Sequence, residues 1–305
     1  MKLEIKNLHK SFGDTEILHG ISFSTEEGSA LGLLGRNGAG KTTTIRILMK
    51  VFEANEGEVL LDGKPFTPQR GDIGYLPEER GLYPKKKVGE QMMYLATLRG
   101  MNARDAKASV KKWLVRLGVD EYENRRLETL SKGNQQKVQL AQTLVNDPAV
   151  IILDEPFSGL DPVNSQILKD VINEEIKRGK MVIFSSHQMS YVEEFCQNIV
   201  ILNHGRIVLS GELSDIKREF GKNRIVLSAE NLTQEELSDK LTREYAEDVV
   251  VDGTWKNGVI LELKSSCTKQ GLLKKLAESD VVVDAFGSYE PSLNDIFVES
   301  AGDEA

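Results

Sequence analysis

The sequence predicts an α/β protein in two parts: a sheet built on a phosphate-binding strand, loop and helix up to about residue 220, then a smaller α+β domain. Three stretches carry that expectation. Gly35-Arg36-Asn37-Gly38-Ala39-Gly40-Lys41-Thr42 fits the pattern glycine, four residues, Gly-Lys-Ser/Thr, with a short apolar run before it and a helical stretch after it. A second apolar run, residues 149–153, ends in Asp154-Glu155-Pro156. Beyond residue 220, short strand and helix patterns follow one another in the order βαββαβ.

Composition limits what the chain can be. Its 305 residues suffice for two domains of unequal size, and 39 basic against 47 acidic residues leave a net charge of −8, which argues against a nucleic-acid surface. Cys196 and Cys267, far apart and outside any metal-ligand spacing, read as two free thiols of a reducing compartment. The N-terminus, Met1-Lys2-Leu3-Glu4-Ile5-Lys6, alternates charged and apolar residues and reads as a strand instead of a secretion signal. No apolar run approaches the roughly 20 residues of a membrane-spanning helix, so a membrane role has to come through a partner.

Taken in order, residues 3–8 and 21–25 read as strands joined by the turn-rich stretch Ser11-Phe12-Gly13-Asp14. The ring of Phe12 either stacks on a base or plugs the turn from beneath. After the phosphate loop come a helix over 43–51 and strands at 58–63 and 73–77. From about 85 to 145 apolar residues fall at helical spacing, with Trp113 and Leu117 on one face, and this segment reads as a helical insertion with Trp113 in its core. A helix over 163–178, a strand at 181–186 and a hairpin through Asn203-His204-Gly205-Arg206 close the first domain, whose boundary falls near Phe220-Gly221-Lys222. In the second, Asn257-Gly258 marks a hairpin, and a last helix starts near Pro291. The βαββαβ order predicts a small ferredoxin-like sandwich over 221–305.

The chemistry explains the residue types. Glycines let backbone N–H groups wrap a triphosphate without a Cβ in the way, Lys41 supplies a fixed positive charge, and Thr42 offers a hydroxyl to Mg²⁺ ahead of a helix whose N-terminal dipole faces the phosphates. Leu130-Ser131-Lys132-Gly133-Asn134-Gln135-Gln136-Lys137 begins a helix, Asp154-Glu155 ends one strand, and Ser185-Ser186-His187 ends the next.

With these stretches in hand, residues 1–220 resemble the ATP-binding subunit of ABC transporters, whose motifs occur here in the family's order: phosphate loop, glutamine loop, signature, second carboxylate motif, D-loop and switch histidine. The resemblance implies an ABC-type nucleotide-binding domain with a helical subdomain, binding ATP and Mg²⁺. ATP would be held by Phe12 at the adenine, by Gly35, Asn37, Gly38, Ala39, Gly40, Lys41, Thr42 and Thr43 at the phosphates, and by Ser131, Gly133 and Asp161 of an opposite subunit in a head-to-tail homodimer. Mg²⁺ would be held by Thr42, Asp154 and Glu78. Glu155 would polarise the attacking water, with His187 contacting the γ-phosphate. Ser158-Gly159-Leu160-Asp161 matches the D-loop, and Asp161 ahead of Pro162 also reads as a plain helix cap.

The chain departs from the family in places. Lys132 stands where glycine is usual and Asn134 where glutamine is usual. Glu78 replaces the glutamine of that loop, and Phe12 replaces a common tyrosine while keeping the ring. The stretch Glu78-Glu79-Arg80-Gly81-Leu82-Tyr83, with Pro291-Ser292-Leu293-Asn294-Asp295-Ile296-Phe297, resembles the ATPases of ABC-2 type exporters, including sodium-exporter subunits. Lys85-Lys86-Lys87 reads as a solvated face or as a docking site for a membrane subunit. The resemblance implies an ATPase that powers a separate permease from the cytoplasmic face of the membrane. Two other readings stand beside it: a soluble ATP-dependent regulator or assembly factor, and a degenerate cassette that binds ATP without turnover.

Overall fold

A computed structural model describes residues 1–69, 71–78 and 81–301. Glu79 and Arg80 of the Glu78–Tyr83 stretch, and the end of the second domain after Ala301, lie outside the described residues. By contact density the chain divides into two compact units, Met1–Leu213 with Phe297–Ala305, and Ser214–Ile296.

The first unit opens with a hairpin, β1 (Lys2–Phe12) and β2 (Thr15–Glu26), followed by β3 (Ala30–Gly35) and α1 (Lys41–Leu48). Next come β4 (Glu56–Leu61), β5 (Lys64–Pro65) and β6 (Ile73–Leu76), then the helices α2 (Val88–Leu98), α3 (Ala103–Arg116) and α4 (Lys132–Leu144). β7 (Val150–Asp154), α5 (Pro162–Lys177), β8 (Met181–Ser185), α6 (Met189–Phe195), β9 (Asn198–Asn203) and β10 (Arg206–Glu212) complete its sheets. The hairpin strands are longer than their apolar pattern predicts. Pairing from Lys2 with Glu26 to Phe12 with Thr15 carries β1 up to the turn, so Phe12 ends a strand instead of sitting in a loop. The short helix α6 escaped the sequence pattern because only Val192 and Phe195 of it are buried.

Two sheets share one core. The antiparallel sheet runs β2-β1-β4-β5 and the larger sheet β10-β9-β3-β8-β7-β6, parallel except for β10. Leu3, Ile5, Leu8 and Ile21 of the hairpin pack with Ile45 and Leu48 of α1 and with Val150, Ile152, Met181 and Ile183 of the large sheet. β3, β7 and β8 are buried at every position, which is why they read as unbroken apolar runs. In the helical segment Trp113 and Leu117 are buried, as their spacing predicts. Cys196 is buried, and neither cysteine is in a disulfide.

The strand order positions the site. Strands β3, β8, β7 and β6 are consecutive neighbours and all parallel, so their C-terminal ends meet at one edge. Ligands bind at that edge of an open parallel sheet.

After α7 (Leu213–Phe220), the second unit contains β11 (Arg224–Ala229), α8 (Gln234–Glu244), β12 (Val249–Trp255), β13 (Gly258–Leu263), α9 (Lys269–Ala277) and β14 (Val283–Ser288), before α10 (Leu293–Ala301). Its antiparallel sheet has the order β12-β13-β11-β14, the ferredoxin-like arrangement expected from βαββαβ. Leu237 and Leu241 of α8 and Leu272 and Leu276 of α9 close a core with Ile225, Leu227, Val259 and Leu261. The hairpin turns at Lys256-Asn257 as the Asn-Gly signal predicts. The last helix starts two residues after Pro291, with the Ser292 hydroxyl accepting from the Asp295 amide at 3.2 Å.

Candidate ATP site

The loop between β3 and α1 owes its shape to glycine. Gly35 has φ 151°, Gly38 83° and Gly40 107°, conformations that side chains rarely adopt. At Gly35 a Cβ would also stand 2.5 Å from the Leu202 carbonyl oxygen, and at Gly40 2.6 Å from a Leu18 methyl. Ala39 is buried and its N–H donates to Arg36 O at 3.1 Å, closing the loop on itself. Lys41 folds back over the loop, donating from Nζ to Gly35 O at 2.6 Å and to Arg36 O at 3.1 Å. The Thr44 hydroxyl, which the motif does not include, donates to Gly40 O at 3.0 Å and fastens the helix start.

A cavity of about 270 Å³ opens here, lined by Phe12, Ile17, Asn37, Gly38, Gly40, Lys41, Thr42 and Thr43. Phe12 is 50% exposed, which removes the reading of a plug beneath the turn. Its ring stands edge-on to Phe52 at 5.2 Å, and Lys10 Nζ lies 5.1 Å from its centre. Phe52 and Lys10 carry no motif, and only the folded chain brings them to Phe12.

Asp154 and Glu155 arrive at the end of β7, both buried. Glu155 adopts φ 48°, a left-handed conformation that costs a non-glycine residue roughly 1 kcal/mol or more and turns its side chain along the sheet edge. Its carboxylate is held on both oxygens. Ser186 Oγ donates to Oε2 at 3.0 Å, the His187 backbone N–H donates to Oε1 at 2.7 Å, and His187 Nδ1 lies 2.6 Å from Oε1. The remainder of the His187 ring faces solvent. In the sequence Ser186 carries no signal of its own, because a serine beside a histidine has no distinctive spacing until the strand end turns it toward β7. Behind this edge Phe157 packs on Tyr191 at 4.3 Å and on Phe195 at 5.7 Å, which anchors the backbone leaving Glu155.

The charges face one another. Burial lowers the Lys41 ammonium from its ordinary range, while Glu155, Asp154 and Glu78 oppose that by favouring its charged form. Burial raises the Asp154 carboxyl, and the neighbouring Glu155 charge raises it further. Tyr75 of β6, 3.4 Å from Asp154 Oδ2 through its hydroxyl, is pushed up to about 12 by burial and by Asp154. Glu78 follows β6 at the same edge and is exposed. Among the described residues no group of three or more His, Cys, Asp or Glu side chains gathers as a metal cage. The donor set present, a threonine hydroxyl and carboxylates beside a phosphate loop, suits a hard cation that takes its other oxygens from phosphate and water.

Ser131, Gly133 and Asp161 do not line the cavity. Ser131 caps α4, its Oγ accepting from the Asn134 N–H at 3.3 Å, and Asp161 caps α5, accepting from the Asn164 N–H at 3.0 Å. Gly133 is buried against Asn164, whose amide nitrogen would stand 2.5 Å from a Cβ there. Asp161 therefore does act as a helix cap, and Asn164, which packs on Gly133, also donates its side-chain amide to Asp161 Oδ2.

Comparison with known proteins shows the family. The ABC transporter family matches residues 18–158, and the C-terminal domain of DrrA1-3-like ATP-binding proteins matches residues 211–301. The uncharacterized ABC transporter ATP-binding protein YhaQ of Bacillus subtilis is 40% identical over 304 residues, 98% of each chain. This chain belongs to the ABC transporter ATP-binding proteins. The Nod factor export ATP-binding protein I of Burkholderia lata is 33% identical over 213 residues, 68% of this chain and 70% of that one. A solved structure of an ATP-binding subunit of an ABC transporter, 29% identical, superposes with a TM-score of 0.66 over 80% of this chain and all of that one. The subunit is thus an ATPase that powers transport, and its family favours that activity over a soluble regulator. None of its described helices is long and apolar enough to cross a membrane.

Proposed function

We propose that two copies of this subunit close head to tail on ATP and Mg²⁺ and that the closing and reopening drive a separate membrane permease in the direction of export. The observation that carries the reading is the edge where Glu155, held on both oxygens, stands beside Lys41. Phe12 stacks on the adenine. The backbone of Gly35, Asn37, Gly38, Ala39 and Gly40, with Thr43 and Lys41, holds the phosphates. Thr42, Asp154 and Glu78 hold Mg²⁺, which when bound neutralises charge on the β and γ phosphates. Glu155 orients the attacking water and accepts its proton, and His187 keeps that carboxylate in place and reaches the γ-phosphate. Ser131, Gly133 and Asp161 complete the site from the second copy, with a helix N-terminus suited to an anion.

The export direction is supported by likeness to the Nod factor export protein. Docking of the permease is assigned to the cleft of about 390 Å³ lined by Tyr83, Lys86, Glu90, Gln91 and Tyr94, beside the exposed run Lys85-Lys86-Lys87. Its two tyrosines are each 59% exposed, an amphipathic pair suited to a partner surface. The ATPase test is Glu155→Gln. Hydrolysis is expected to stop while ATP traps a dimer, read by light scattering; unchanged turnover would remove Glu155 from this role.

A further inference from the structure

The loop that follows α1 is stitched to the end of β1. The Asn55 N–H donates to His9 O at 2.8 Å, the Ser11 N–H donates to Asn55 Oδ1 at 2.8 Å, and Lys10 Nζ donates to Glu53 O at 2.7 Å. These bonds bring Phe52, half-buried against the core of the first unit, to Phe12. The two rings meet with centres 5.2 Å apart and planes at 89°, so that the positive edge of one lies toward the negative face of the other. The Lys10 ammonium stands 5.1 Å from the centre of Phe12 and 5.0 Å from that of Phe52, within reach of a cation–π contact with both. Phe12 is still half exposed, at the end of the cavity lining that it shares with Ile17 and the phosphate loop. A side chain so open to water has to be ordered when a ligand lies on it, and that ordering weakens binding unless something else has already fixed the ring.

We infer that Phe52 and Lys10 are positioning residues for the nucleobase, which set the Phe12 ring before ATP arrives. Phe52 holds the ring through the edge contact. Lys10 ties both rings to the loop after α1 through one ammonium. Neither residue lines the cavity, so both act through Phe12 and leave the phosphates alone. The inference rests on the stacking of Phe12 on the adenine proposed above.

The test compares two ligands on the full chain: ATP, and inorganic tripolyphosphate, which carries phosphates without a base. Their affinities are read by competition with a fluorescent ATP analogue for the wild type, Phe12→Ala, Phe52→Leu, Phe52→Tyr, Lys10→Met and the Phe12→Ala/Phe52→Leu double variant. Phe52→Leu keeps an apolar side chain against the core. It is expected to weaken ATP binding by roughly three- to tenfold, the effect of ordering one side chain, and to raise KM for ATP by the same factor with kcat unchanged. Tripolyphosphate affinity should not move. Phe52→Tyr keeps the ring and should restore ATP affinity, whereas Lys10→Met keeps the stem without the charge and should weaken ATP by about two- to fivefold. The double variant should bind ATP as Phe12→Ala does, because no ring remains to be positioned. Unchanged ATP affinity in Phe52→Leu, an equal loss for tripolyphosphate, or a further loss in the double variant would each overturn the positioning role. If Phe12→Ala binds ATP as tightly as the wild type, the stacking reading itself fails; if Phe12→Ala weakens ATP while Phe52→Leu and Lys10→Met do not, only the positioning fails.

Discussion

Lys41 is the residue whose role depends most on its surroundings. It is partly buried, its ammonium rests on two loop carbonyls, and three carboxylates face it from neighbouring strand ends. A triphosphate would exchange those carbonyls for phosphate oxygens, a charge-assisted contact worth about 1.5–3 kcal/mol. Lys41→Ala is therefore expected to weaken ATP binding by roughly ten- to a hundredfold, read by titration with a fluorescent nucleotide; undiminished affinity would count against the loop as the phosphate site. Ser186 acts on a different quantity. Ser186→Ala removes one of the donors to Glu155, and the expected outcome is a fall in kcat of about one order of magnitude with little change in KM, since the ATP-binding loop is untouched.

At the scale of elements, the helix starts carry much of the arrangement. Ser131 is at once the cap of α4 and a proposed phosphate contact, so Ser131→Ala should cost about 1 kcal/mol of stability as well as activity. Thr233 caps α8 in a full capping box with Glu236, far from any proposed chemistry, and Thr233→Ala should show a loss of similar size with ATPase rate unchanged. Thermal melts of the two variants beside their ATPase rates separate capping from function. The four neighbouring strand ends are the other device of this scale. β3, β6, β7 and β8 were each legible as short apolar runs, and so were the residues that follow them. Their adjacency was not legible, because the order β3-β8-β7-β6 depends on crossovers through α1, α4, α5 and the helical segment.

Over the whole molecule, the two units have separate cores. The core of the second draws on Ile225, Leu227, Leu237, Leu241, Val259, Leu261, Leu272 and Leu276, all from within that unit. The fragment Ser214–Ile296 is accordingly expected to melt cooperatively when produced alone, followed by circular dichroism; a fragment without a transition would show that it depends on the first unit. The sequence expectation puts the boundary near 220, and contact density divides the chain after Leu213, grouping all of α7 beyond its first residue with the second unit.

The phosphate loop was determined by the sequence alone, because its glycines fall where the turn needs φ values that other residues rarely adopt, Lys41 and Thr42 follow at a fixed spacing, and the strand and helix beside it are local. The carboxylate pair and the βαββαβ order of the second unit were legible for the same reason, each being a local pattern. Tertiary structure decided the rest. It turned Phe12 out to the cavity, set Ser186 and His187 on Glu155, brought Tyr75 to Asp154, and laid Lys132 on Gly159, more than twenty residues away in the chain. Such pairings join segments whose separation is fixed only by strand order and helix packing, and no periodicity within either segment encodes them.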